Sequence, residues 1–154
     1  MEIRKNSIKQ RLRDGKHVIA IENLNDPDLV ELFAPNDPHC FWFEGEHSIV
    51  NPQNIGDLTR ATDLINATSV VRVPRPEYQL IYHAFDLGAQ GVAVPHVKSK
   101  ADAELVVNAS KFSPLGQRGM FTSRQGIGVD DYFKKANDET FVLVFIEDLI
   151  AIEN

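Results

Sequence analysis

With 154 residues, 43% of them hydrophobic and 25% charged, the chain has enough apolar mass for one sizeable core and no compositional mark of disorder. A formal charge of -6 supplies no basic surface for nucleic acid or an anionic membrane, so both are set aside as partners. The single cysteine, Cys40, leaves no disulfide framework, the N-terminus is too polar for a signal peptide, and no apolar run approaches ~18 residues. A cytoplasmic protein with an inert buried thiol is the expectation.

Ser7-Ile-Lys-Gln10 has the spacing of a capping box and opens a short helix that stops at Asp14-Gly15. His17–Ile21 is a compact β-branched run, a first strand. Asp26-Pro27 supplies an N-cap and an N1 proline, and Leu29, Val30, Leu32 and Phe33 give the next helix its apolar face until Pro35 and Pro38 end it. Phe41–Phe43 is a second strand, which breaks at Gly45 into the acidic turn Glu44-Gly-Glu-His47. Asn54 caps a helix in which Ile55, Leu58, Ala61, Leu64 and Ile65 recur at helical spacing.

Ser69–Val73 is the third strand, stopped by Pro74-Arg75-Pro76. Glu77 to Leu87 is helical, with Tyr78, Ile81, Tyr82 and Phe85 on one face and Gly88 as the stop. Gly91–Val94 is the fourth strand, and Ser99 caps a helix running through Ala109. Lys111 to Glu139 reads as a long Gly-rich connection with one helical turn at Asp130–Lys135. Phe141–Ile146 is the fifth strand and closes on Glu147-Asp148. Strand and helix thus alternate five times, and the strands are continuously apolar. This predicts one α/β domain over 1–154, a parallel sheet covered on both faces.

In parallel strands the carboxyl ends share a rim, and ligands bind there. Here that rim would gather Glu44, Glu46, His47, Arg72, Glu147 and Asp148. A carboxylate, a guanidinium and an imidazole together suit a hard divalent cation and the stabilisation of an oxyanion or enolate. Glu44 stands three residues before His47 and could fold back onto one ring nitrogen. Arg72 interrupts an otherwise apolar strand, and an ion pair with Asp86 or Glu44 is its plain structural account. Gly126-Ile-Gly128 follows no strand and is weak evidence for a phosphate loop. His17, His39 and His83 stand without partners, Trp42 and Phe43 read as core, and His96, just after Pro95 at a strand end, is left open.

Phe43-Glu-Gly-Glu-His47, Val71-Arg-Val-Pro74, Phe85-Asp-Leu-Gly-Ala89 with Val94-Pro95, Pro114-Leu-Gly-Gln-Arg-Gly119 and Ile146-Glu147 follow one another along the chain. Together they resemble the HpcH/HpaI-type class II pyruvate aldolases, relatives of the citrate lyase β-subunit group. The resemblance implies a (β/α)8 TIM-type barrel of which about the first five βα units are present. It further implies a divalent metal (Mg, Mn or Co) and cleavage of a 2-keto-3-deoxy or 4-hydroxy-2-oxo acid to pyruvate and an aldehyde. Carried over by position, His47 resembles the catalytic base and Glu44 its acidic partner. Arg72 corresponds to the pyruvate-binding arginine, Asp86 to the acid of the Asp-x-Gly-Ala motif, and Glu147 to the first metal carboxylate.

Three departures accompany the resemblance. Phe145 stands where the family usually has glutamine, and Glu44 where it has aspartate. The family's second metal aspartate and its Gly-Pro loop would fall beyond Asn154. The reading therefore carries alternatives: a C–C lyase on an acyl-CoA or citrate-type substrate, a non-catalytic barrel relative, or an interaction protein. Two apolar strands left as sheet edges, His17–Ile21 and Phe141–Ile146, lead to the expectation of a homo-oligomer.

Overall fold

The computed structural model describes residues 1–154. A short helix α1 (Ser7–Arg13) precedes five strands, β1 (Ala20–Glu22), β2 (Cys40–Glu44), β3 (Thr68–Arg72), β4 (Gly91–Val94) and β5 (Phe141–Val144). Between and after them come α2 (Pro27–Leu32), α3 (Ile55–Leu64), α4 (Tyr78–Asp86), α5 (Lys100–Ser110), α6 (Tyr132–Glu139) and α7 (Leu149–Glu153). All five strands are parallel and lie in sequence order, β1-β2-β3-β4-β5.

Sequential order has a geometric consequence. When each crossover leads to the next strand along, the helices accumulate on one side of the sheet, as they do around a barrel. The packing bears this out. Phe41 and Phe43 of β2, Val71 of β3, and Val92 and Val94 of β4 join Val30 of α2, Leu58 and Ala61 of α3, Ile81 and Phe85 of α4, and Val106 of α5 in the main core. The opposite face carries Cys40, Trp42, Val70, Ala93, Phe141 and Leu143, packed with Ile8 of α1. The expected cover on both faces is therefore corrected: the helices α2 to α5 pack on one face only. Continuously apolar strands arise because the second face also packs, against its own residues and against α1.

Register aligns the inner face in layers. Trp42, Val70, Gly91 and Phe141 stand side by side across β2 to β5, with Glu44, Arg72, Ala93 and Leu143 one layer higher. The lower layer sets Gly91 between Val70 and the bulky Phe141. A Cβ on Gly91 would sit 2.9 Å from Val70 Cγ2 and 3.1 Å from Phe141 Cδ1, so glycine there makes room for the phenylalanine ring.

Several elements differ locally from expectation. The cap of α1 is Asn6, whose side chain accepts from the Lys9 N–H at 3.2 Å; the Ser7 hydroxyl is spent on His39 O and Thr68 Oγ1. Asn54 precedes α3, but its Oδ1 accepts the N–H of Asn51, not of its own helix. The first strand falls at Ala20–Glu22, later than His17–Ile21, because β1 is set by pairing with Cys40–Trp42 and not by its own composition. Instead of a single turn, the long connection holds the eight-residue α6, whose Tyr132 and Ala136 pack with Ile3 and Phe112. α7 lies where no helix was expected. No helix is long and apolar enough to cross a membrane.

Burial pushes the Cys40 thiol up to about 12, which makes it inert as a nucleophile. Burial also lowers Lys111 to about 8, its Nζ held by the carbonyls of Asn137 (2.7 Å) and Thr140 (3.0 Å). A lysine whose folded pKa lies below its unfolded value near 10.5 binds fewer protons folded than unfolded between those limits. Its contribution to stability therefore grows as pH rises from about 8 to about 10.5 and is flat below that window. Urea unfolding across that range should show wild-type stability rising relative to Lys111→Met; a constant difference would contradict the assignment.

Candidate active site

β2 and β3 end together at Glu44 and Arg72, which are register partners on the inner face. The chain leaves β2 through Gly45, whose N–H donates to Arg72 O at 2.9 Å. A Cβ on Gly45 would stand 2.5 Å from that same oxygen, so only glycine lets the turn lie against β3. The Glu44 carboxylate then shapes the turn. Its Oε1 accepts the backbone N–H of Glu46 (2.8 Å) and of His47 (3.2 Å), while Oε2 takes the Trp42 indole N–H and Arg72 Nη1, both at 3.4 Å. Desolvation alone would raise its pKa. The backbone N–H of Glu46, the Trp42 and His47 donors and the Arg72 charge outweigh that and hold Glu44 below the ordinary carboxylate value. Glu44 thus grips the backbone of His47; its expected bond to the imidazole is corrected, because the ring Nε2 faces Glu46 Oε2 at 3.4 Å.

Arg72 is the centre of the rim. Its guanidinium, only 14% exposed, pairs with Glu44 at 3.4 Å, with Glu46, and with Glu147 at 3.9 Å. One face lies over the Phe145 ring, 4.7 Å from its centroid, and Phe145 meets Trp42 edge-on at 6.1 Å. Phe145, in place of the glutamine of the resemblance, therefore substitutes an aromatic platform for a hydrogen-bonding side chain. Asp86 is not among the partners of Arg72. It ends α4 and accepts from Arg118 Nη2 at 2.6 Å, in the helical layer away from the rim.

Two further residues complete the network. His96, in a left-handed conformation (φ 54°) just after Pro95, reaches Asp148 Oδ2 with Nδ1 at 3.0 Å and Glu46 Oε1 with Nε2 at 3.3 Å. Its backbone N–H donates to Glu147 Oε1 at 2.9 Å. The bond to Asp148 raises the His96 pKa and lowers that of Asp148 in return, against an opposing effect of desolvation. Glu46 therefore links Arg72, His47 and His96 across the strand ends, a role that sequence reasoning placed on the rim but did not single out. Its inner-face parity with Glu44, two residues away, was the available signal. His47 projects to solvent, its side chain 71% exposed.

Glu147 presents a carboxylate on the rim, but His96 and Arg72 already approach it, and no group of three or more His, Cys, Asp or Glu is arranged to hold an ion. A hard cation such as magnesium is held by one or two protein carboxylates together with water and substrate oxygens, so Glu147 can supply one ligand while these residues alone do not complete the shell.

A family model described as HpcH/HpaI aldolase/citrate lyase matches residues 22–154. The chain belongs to that family. Among curated relatives it is 32% identical over 157 residues to a 4-hydroxy-2-oxovalerate aldolase of Novosphingobium aromaticivorans, covering 97% of this chain and 58% of the relative. To a 2-keto-3-deoxy-L-rhamnonate aldolase of Salmonella gallinarum it is 30% identical over 155 residues, with the same coverages. A solved HpcH/HpaI aldolase/citrate lyase family protein of Burkholderia cenocepacia superimposes with a TM-score of 0.86 at 28% identity, over 97% of this chain and 62% of that one. The chain thus spans less than two thirds of the family members it matches.

Glu46→Ala removes the carboxylate nearest the Arg72 guanidinium but leaves Glu44 and Glu147 beside it. It should therefore lower stability by roughly 1 kcal/mol. In urea unfolding, a change smaller than the error of the measurement would show that Arg72 does not depend on Glu46.

Proposed function

We propose that the chain forms the first five βα units of a (β/α)8 barrel whose whole is a carbon–carbon lyase. The enzyme would cleave a 2-keto-3-deoxy or 4-hydroxy-2-oxo acid to pyruvate and an aldehyde. The barrel reading is supported by sequential parallel strands with α2 to α5 on one face and by the length of the relatives. One observation carries the catalytic reading: a desolvated arginine at the carboxyl end of β3, beside a histidine, with its Nε–H still without an acceptor in the protein.

The chemistry follows from those groups. His47 takes the proton of the C4 hydroxyl, the C3–C4 bond breaks as the C4 carbonyl forms, and its electrons pass into the enolate of pyruvate. Arg72 offsets the charge on the enolate oxygen, and a proton returned to C3 gives pyruvate. Glu44 fixes the turn that carries His47. Asp86, paired with Arg118, supports the helical layer in this scheme. A divalent cation, Mg, Mn or Co, belongs to the proposal with Glu147 as one ligand, and no step is assigned to it because these residues do not complete its shell. A pyruvate-type 2-keto acid is the small-molecule partner. Cytoplasmic location, supported by the lone buried Cys40, and homo-oligomerisation belong to the same proposal.

Phe145 favours a second reading, a barrel relative that has lost catalysis, because an aromatic ring cannot donate where a glutamine amide could. One pair of measurements separates the two. In the whole protein, Arg72→Lys should lower kcat/KM for retro-aldol cleavage by about 10²-fold or more while the circular dichroism stays native. Wild-type protein without turnover on any 4-hydroxy-2-oxo acid tested, or unchanged turnover in the variant, would favour the second reading.

A further inference from the structure

At the end of the sheet away from the rim lies a small cavity of about 20 Å³, bordered by Arg4, Phe85, Gln90, Arg118 and Glu139 among others. That volume accommodates a single water-sized occupant. Two guanidinium groups border it, and each has a buried Nε with no acceptor in the protein. Arg118 is held by Asp86 at 2.6 Å and packed against the rings of Phe85 (5.0 Å) and Phe112 (4.5 Å), with its side chain 3% exposed. Arg4 is held by Asp63, the carbonyl of Ala67 and Gln90 Oε1. Neither can swing its Nε to solvent without breaking those bonds.

The charge balance gives the occupant its chemistry. Asp63 serves both Arg4 and Arg124, so three guanidinium groups, Arg4, Arg118 and Arg124, face two carboxylates, Asp63 and Asp86. Glu139 does not make up the difference. Its oxygens are taken by the Asn6 N–H (2.7 Å) and by Lys5 Nζ (3.2 Å). One positive charge is left over in a desolvated setting, where an uncompensated ion is costly. Two acceptors on the cavity wall are engaged, Gln90 Oε1 by Arg4 and Thr140 O by Lys9 and Lys111. An occupant between the two Nε–H groups meets donors, and the surplus positive charge suits a monatomic anion there better than water.

We propose that this cavity is a structural halide site, taking one chloride between the Nε–H groups of Arg4 and Arg118. The ion would tie the N-terminal segment, through Arg4, to the loop after α5, through Arg118. It is separate from the rim and independent of the catalytic reading. Two measurements on the wild-type chain decide it. Crystals grown in sodium bromide should show an anomalous peak in the cavity within hydrogen-bonding reach of both Nε atoms. The melting temperature should rise saturably with sodium chloride above its value in sodium gluconate of equal ionic strength, because only an ion that binds the folded state stabilises by mass action. The chloride-specific rise should vanish in Arg118→Met; if that variant does not fold, the wild-type data stand alone. A water without anomalous signal at this position, or equal effects of chloride and gluconate, would overturn the proposal.

Discussion

The guanidinium of Arg72 sits at the inner edge of the sheet, where water is scarce and three carboxylates, from the end of β2, the turn after it and the loop after β5, converge on it. A charge in that position is stable only if its neighbours hold still, and each neighbour is held by something else. Glu44 is fixed by two backbone N–H groups, Glu46 is shared with His96 and His47, and Glu147 is held by the His96 backbone. Gly45 permits the turn to lie against β3. Fold and site are thus one construction: parallel strands of matching register bring the charged residues level, and the charges in turn lock the loops that follow the strands.

The two ends of the sheet solve the same electrostatic problem differently. At the rim, carboxylates outnumber the cation, and Arg72 retains one donor free. At the opposite end, Arg4, Arg118 and Arg124 outnumber Asp63 and Asp86. The rim, which faces solvent through His47, is suited to exchange a ligand. The far end is closed by α1 and the N-terminal segment and is suited to retain one.

Much of this was legible in the residues. Helices bounded by Pro27, Gly88 and Ser99 lie where those residues imply, because proline and glycine act through local backbone geometry and Ser99 caps through its own side chain. The rim was legible because strand ends of parallel sheets coincide whatever the details. What escaped depends on partners distant in sequence. β1 is placed by Cys40–Trp42, the cap of α1 by competition for Ser7, and the hidden helix α6 by packing against Ile3 and Phe112. The one-sided helical layer was missed because an inner face packed on itself is as apolar as one covered by helices. The partners of Asp86 and His96 were equally out of reach, since each lies more than thirty residues away.

The central claim is that Arg72 keeps a donor in reserve for a 2-keto acid, and its Nε–H can be watched directly. In ¹⁵N-labelled protein, titration with pyruvate should move the Arg72 Nε–H resonance saturably, with the assignment fixed by its loss in Arg72→Lys. The Nε–H resonance of Arg60, exposed and paired only with Asp57, should stay in place. An Arg72 resonance that does not move at any pyruvate concentration, or that moves only in step with Arg60, would contradict the account.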